Sequence, residues 1–190
     1  THCISSAASD VYKRQTYNCG RSETRDSSFP GPPFPFESPA PVACMKTVHK
    51  SVLIWYSPEE MFALVTGVEH YPQFLPWCDR AAVLEQTEEG MTAEVGIAFS
   101  GIRQTFVTRN THEVGRRVQM HLVKGPFSRL DGDWHFHPVG DGTQRACKVE
   151  LMLNYGFDSA GLATLVGPVF DRIAGSMVDA FVKRAEQVYG

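Results

Sequence analysis

The sequence predicts an α+β fold: a curved antiparallel sheet of about seven strands wrapped around a long C-terminal helix, with two short helices after the first strand. Three observations lead there. Stretches between Lys46 and Tyr155 alternate apolar and polar residues with period two, which marks a sheet solvated on one face. Residues 57–77 carry two short helical signals limited by prolines. Residues 162–188 carry an apolar stripe at three-and-four spacing. Such a helix cannot bury its stripe alone, and the sheet's apolar face needs a cover, so each serves the other. A curved sheet over one helix is hard to fill, which leaves a cavity between them.

Lys46 to Tyr56 (KTVHKSVLIWY) alternates and is rich in β-branched and aromatic residues, as a strand requires. Ser57-Pro58-Glu59-Glu60 then reads as a helix start, with Ser57 as cap, Pro58 in the first helical position and Glu60 completing a capping box. That helix should stop near Gly67, and a second short one spans Val68 to about Trp77. Six strands follow. Ala81–Glu85 is short. Met91, Ala93, Val95, Ile97 and Phe99 share one face of the next, and Arg103–Thr111 forms another. Val118, Met120 and Leu122 alternate with Arg117, Gln119 and His121. Leu130, Trp134 and Phe136 alternate with Asp131, Asp133, His135 and His137. Gly140-Asp141-Gly142 is a hairpin signal before a long last strand with Cys147, Val149, Leu151, Leu153 and Tyr155 on one face. The final helix runs from about Leu162 to Val188, and Pro168 should kink it or begin its main part.

Residues 1–44 differ in kind. They hold six prolines between Pro30 and Pro41, three of the five cysteines, balanced charge and no apolar periodicity. They read as a disordered Pro/Ser-rich leader or as translated sequence ahead of a start at Met45, and lack the apolar run of a secretory signal. The domain is residues 45–190, which carry the whole net charge of −3. That mild acidity argues against DNA and against general nucleic-acid binding. No stretch approaches the 18 consecutive apolar residues of a membrane span, and Cys78 and Cys147 lack metal-ligand spacing. The domain reads as cytoplasmic, with a peripheral contact at the inner membrane as an option.

Four candidate sites emerge. Cys78 with His70 nearby has no surrounding nucleophile signature and reads as a buried thiol. Asp131, Asp133, His135 and His137 share a strand face with ligand chemistry, but Leu130, Trp134 and Phe136 oppose them, so the row reads as a solvated face and no metal is expected. The third is the cavity. Its inner faces carry Phe99, Phe106, Met120, Leu122, Phe127, Trp134, Tyr155, Phe170, Met177 and Phe181, joined by Phe74, Trp77 and Leu130. Each residue alone reads as packed core; together they outline an apolar ligand site, with Gln104 and Thr108 placed to supply polar groups. The fourth is a surface. Tyr71, Pro72, Leu75, Lys124 and Pro126 lie in two segments with apolar tips, read either as a gate touching membrane or partner or as plugs of the barrel end.

The element order is the helix-grip arrangement of START-like domains, and three segments carry a closer resemblance. They are Tyr71-Pro72-Gln73-Phe74-Leu75-Pro76-Trp77-Cys78, then Gly125-Pro126-Phe127 with Leu130, Gly132, Trp134 and Phe136, then Phe170–Gly190 with Met177-Val178 and Ala180-Phe181. Residues 45–190 resemble the coenzyme Q-binding/ribosome association toxin (RatA) family of the START-like (polyketide cyclase) superfamily. Gly67 departs from the family pattern, which has Asp there, and weakens the cap of the second helix. The resemblance implies a non-enzymatic protein without cofactor that binds ubiquinone or another prenyl lipid and supports respiration. It implies, as the alternative, a toxin that binds the large ribosomal subunit and blocks subunit association. More weakly it implies a cyclase or hydrolase using the same cavity. An RNA surface should be basic, so the acidity of residues 45–190 ranks the lipid first.

Overall fold

The computed structural model describes residues 45–142 and 144–190. The expected leader, residues 1–44, lies outside the described residues. The elements are β1 (Lys46–Ile54), α1 (Pro58–Thr66), a 3-10 turn (Val68–His70), α2 (Tyr71–Phe74), β2 (Cys78–Thr87), β3 (Gly90–Phe99), β4 (Ile102–Glu113), β5 (Arg117–Lys124), β6 (Phe127–Pro138), β7 (Cys147–Phe157) and α3 (Ala160–Tyr189). One seven-stranded sheet has the order β1-β7-β6-β5-β4-β3-β2. Every pair is antiparallel. The six consecutive strands form a meander, and β1 docks on its far edge. This is the helix-grip architecture.

The local chemistry explains the boundaries. At α1 the Glu60 backbone N–H donates to Ser57 Oγ at 3.2 Å, and the Ser57 N–H donates to the Glu60 carboxylate at 2.7 Å, closing the capping box. The 3-10 turn starts at Gly67 with no side-chain cap. β1 stops at Ile54, two residues before the expected end, because the chain turns there into the α1 cap and Trp55 points to solvent. β2 is longer than the expected Ala81–Glu85, since pairing with β3 extends it back to Cys78 and on through the exposed Gln86 and Thr87. α3 starts at a Ser159 cap and continues through Pro168 as one helix.

α3 buries Val166, Phe170, Ile173, Ala174, Val178, Phe181 and Ala185 against the sheet. It is pinned at two places. In its first half, Asp171 accepts from Lys46 Nζ of β1 at 2.6 Å and from the Tyr155 hydroxyl of β7. At the far end, Arg145 bonds Glu60 of α1 and the Tyr189 carbonyl at 2.8 and 3.1 Å. The Arg145 guanidinium also draws the Glu60 carboxyl below its ordinary range.

The outer face of the sheet is a ladder of charges. Arg117 and His135 hold Asp133, Arg129 and His121 hold Asp131, and Lys148 and His137 hold Glu150. The row Asp131, Asp133, His135 and His137 is part of this ladder. Among the described residues no group of three or more His, Cys, Asp or Glu is arranged to hold a metal ion.

Candidate functional site

The inner faces of β3, β4, β5 and β6 meet α3 and the short helices around a cavity of about 60 Å³. One feature of the backbone makes room there. A Cβ at Gly132 would lie 2.2 Å from Met120 Cε, so the glycine leaves the space that the end of the Met120 side chain occupies. Trp134, Phe181 and Trp77 form much of the wall, with the Trp134 and Phe181 ring centroids 5.3 Å apart.

Two polar side chains break this apolar lining, Thr108 and Asn110 of β4, exposed by only 3% and 6%. Antiparallel pairing places Ala93 and Met91 beside them on β3, and Leu122 and Met120 on β5. Asn110 Oδ1 is buried without a hydrogen-bond partner. His112, two residues further along the same face, has its Nε2 in the same condition. Its ring stands edge-on to Phe62 at 5.7 Å, and burial pushes its pKa down. Tyr71 also lines the cavity, but its hydroxyl donates to the Val65 carbonyl at 2.6 Å and burial raises its pKa far above the ordinary value. Cys78 and Cys147 are buried thiols, each pushed by burial up to about 11, so both are protonated at neutral pH. Cys78 Sγ donates to the Arg80 carbonyl at 3.3 Å, while His70 is exposed.

Of the residues read as ligand-binding, Trp77, Phe106, Met120, Leu130, Trp134, Phe170, Met177 and Phe181 line the cavity. Phe74, Phe99, Leu122, Phe127 and Tyr155 do not. Phe127 packs with Phe106, Phe157 and Phe170 into a filled aromatic cluster beyond the cavity, and Tyr155 packs on Phe170 while its hydroxyl is tied to Asp171. Phe99 and Leu122 pack at the margin of the core, and Phe74 packs on Tyr71 and Phe181. Of the polar pair expected, Thr108 lines the cavity and Gln104 does not.

The proposed contact surface needs correction. Tyr71 and Leu75 are cavity-lining residues, and Leu75 is 1% exposed. Their spacing of four puts both on the inward side of a helical turn, while Pro72, Gln73 and Pro76 face out. Lys124 is exposed and Pro126 half-buried, but Phe127, read as the apolar tip of that loop, is interior. A groove of about 510 Å³ lies outside, between α2 and the C-terminal half of α3, lined by Phe74, Pro76, Trp77 and Ala180 and fringed by Lys183 and Arg184. Arg184 donates to Gln73 Oε1 at 3.0 Å and lies over the Phe74 ring. Trp77 is therefore a wall shared by the cavity and the groove.

Residues 54–182 match the family described as polyketide cyclase/dehydrase and lipid transport. The chain belongs to that family. Within the polyketide cyclase family it is similar to the ribosome association toxin RatA of Vibrio cholerae, with 44% identity over 146 residues that cover 77% of this chain and 99% of the relative. It is also similar to the mitochondrial coenzyme Q-binding protein COQ10 homolog B of Xenopus laevis, with 27% identity over 188 residues, 93% of this chain and 77% of the relative. Among solved structures the Zhui aromatase/cyclase of Streptomyces sp. R1128 superposes with a TM-score of 0.66 at 14% identity, covering 75% of this chain and 94% of that one. At that identity the likeness carries the fold alone. The START-like character read from the residues and the resemblance to RatA and coenzyme Q-binding proteins agree with these findings.

Proposed function

We propose that the chain is a binding protein rather than an enzyme, and that it holds a hydrophobic ligand, ubiquinone or another prenyl lipid, between the sheet and α3. The observation that carries this reading is the apolar cavity whose buried polar group, Asn110 Oδ1, has no partner within the chain. Folded proteins pair nearly all such groups, so one left open beside a cavity is a place for a ligand atom. Catalysis fits the lining less well. Tyr71 is its sole titratable side chain among the described residues, and that hydroxyl is engaged.

At about 60 Å³ the space is far smaller than the roughly 300–1,000 Å³ of ordinary ligand pockets, so binding must enlarge it. The lining suits enlargement: Met120 and Met177 are unbranched and repack readily. Trp77 then sets the path. A head group in the cavity can pass its tail by Trp77 into the groove beside Phe74 and Pro76, where each buried CH₂ is worth about 0.8 kcal/mol. Among the described residues no helix is long and apolar enough to cross a membrane.

The test is purification without detergent, followed by organic extraction and mass spectrometry. A prenyl lipid in stoichiometric amount, or saturable binding of added ubiquinone, is expected. Absence of any co-purifying lipid together with absence of binding of added ubiquinone contradicts the reading.

A second reading rests on the relatives named ribosome association toxin, at 44% identity in Vibrio cholerae. Here the protein docks on the large ribosomal subunit and blocks subunit association. Local cation pairs such as Arg116-Arg117 and, beside the groove, Lys183-Arg184 would be the phosphate contacts, against a net charge of −3. Co-sedimentation with large subunits in sucrose gradients at low salt supports it, and absence there removes it.

A further inference from the structure

The cavity also constrains the chemistry of what it takes. Asn110 is more than nine-tenths buried, faces the cavity, and leaves Oδ1 without a donor. Its cross-strand neighbours Met91 and Met120 have no N–H or O–H in their side chains. Thr108 lies on the same face, one pleat away, and its hydroxyl can donate or accept. The walls around this polar pair are aromatic, with Trp77, Phe106, Trp134 and Phe181. Aromatic rings favour edge-to-face and offset partners, and the wall supplies both edges and faces.

We infer that the cavity takes a hydroxylated aromatic group, its O–H donating to Asn110 Oδ1 and its oxygen accepting from the Thr108 hydroxyl. The inference rests on the ligand-binding reading above and specifies the head group. A purely hydrocarbon ligand leaves Asn110 unpaired in a drier site and is disfavoured. Of the two redox states of a prenylated quinone, the hydroquinone alone carries such a hydroxyl.

The experiment compares two probes of the same shape, 4-ethylphenol and ethylbenzene, by calorimetric titration of the full chain. The variants are Asn110→Leu and Thr108→Val, with thermal melts to establish that each is folded. The preference for 4-ethylphenol over ethylbenzene is expected to fall about tenfold in Asn110→Leu and about threefold in Thr108→Val, the scale of a lost buried hydrogen bond. Ethylbenzene itself should bind Asn110→Leu at least as well as wild type, which shows an intact cavity. An unchanged preference in folded Asn110→Leu, as a resident water at Asn110 would give, overturns the inference and leaves the ligand-binding reading standing. Failure of the wild type to bind either probe overturns both.

Discussion

The two faces of one sheet handle polar side chains in opposite ways. On the outer face, Asp131, Asp133 and Glu150 each have a cationic or imidazole partner, and Arg117 and Lys148 are engaged in return. On the inner face Asn110 Oδ1 and His112 Nε2 are buried with no partner at all. Burial raises the cost of an unpaired polar atom, so the unpaired groups stand where they are most expensive. The outer ladder is what a solvated face needs for solubility and register. Neither unpaired atom adds a hydrogen bond to the fold, and that of Asn110 belongs to a residue in the cavity wall.

Mutations on adjacent residues of β6 give the sharpest break between the faces. Trp134 is 1% exposed and packs on Phe136 and Phe181. Trp134→Ala should cost about 3–5 kcal/mol in urea unfolding. His135→Ala, the next residue, should change stability by no more than about 0.5 kcal/mol. The polar groups themselves give smaller effects of opposite sign. Asn110→Leu removes an unpaired acceptor and should raise stability by about 1 kcal/mol, seen as a higher denaturant midpoint at unchanged slope. Asp133→Asn, which weakens a part-exposed pair with Arg117, should lower it by about 0.2–1 kcal/mol.

Acid separates the faces most finely. His112 has its folded pKa lowered by burial from 6.5, so its neutral form is favoured and stability is complete above about 6.5. Below that value the unfolded chain binds the proton more readily, and stability falls. Burial opposes but does not outweigh the partners of Asp131 and Asp133, whose folded pKa values lie below 3.8; their contribution is lost only as pH falls below that value. Burial of His112 should therefore make stability decline from pH 7.5 to 5, and His112→Phe should flatten that limb. A slope unchanged in His112→Phe would assign it elsewhere.

Much of this was legible in the sequence, and the failures have physical reasons. Period-two patterning tells which residues share a face, so Trp134, Phe106 and Leu130 read correctly as interior. It does not tell the height of a residue along the sheet. Phe127 and Tyr155 therefore looked equivalent to Trp134, although they belong to a filled aromatic cluster. β4 was harder. Its inner residues Thr108, Asn110 and His112 and its outer residues Arg109 and Thr111 are all polar, so the sequence carries no contrast between the faces. Phe106 already puts Thr108 on the inner face, and the pairing of Asn110 with Met91 of β3 carries that face past the last apolar residue of the strand. Asn110 and His112 were missed for that reason. Tyr71 and Leu75 were misplaced because a proline-rich segment suggests exposure, while one helical turn is enough to bury two of its residues.

The most direct measurement is a 15N NMR titration of the full chain with 4-ethylphenol, following side-chain resonances. Trp134 Nε1–H and the Asn110 amide report the inner face, and Trp55, 75% exposed, reports the outside. Saturable shifts at Trp134 and Asn110 with Trp55 unmoved are predicted. Shifts at Trp55 alone, or shifts that never saturate at Asn110, would contradict a ligand site on the inner face.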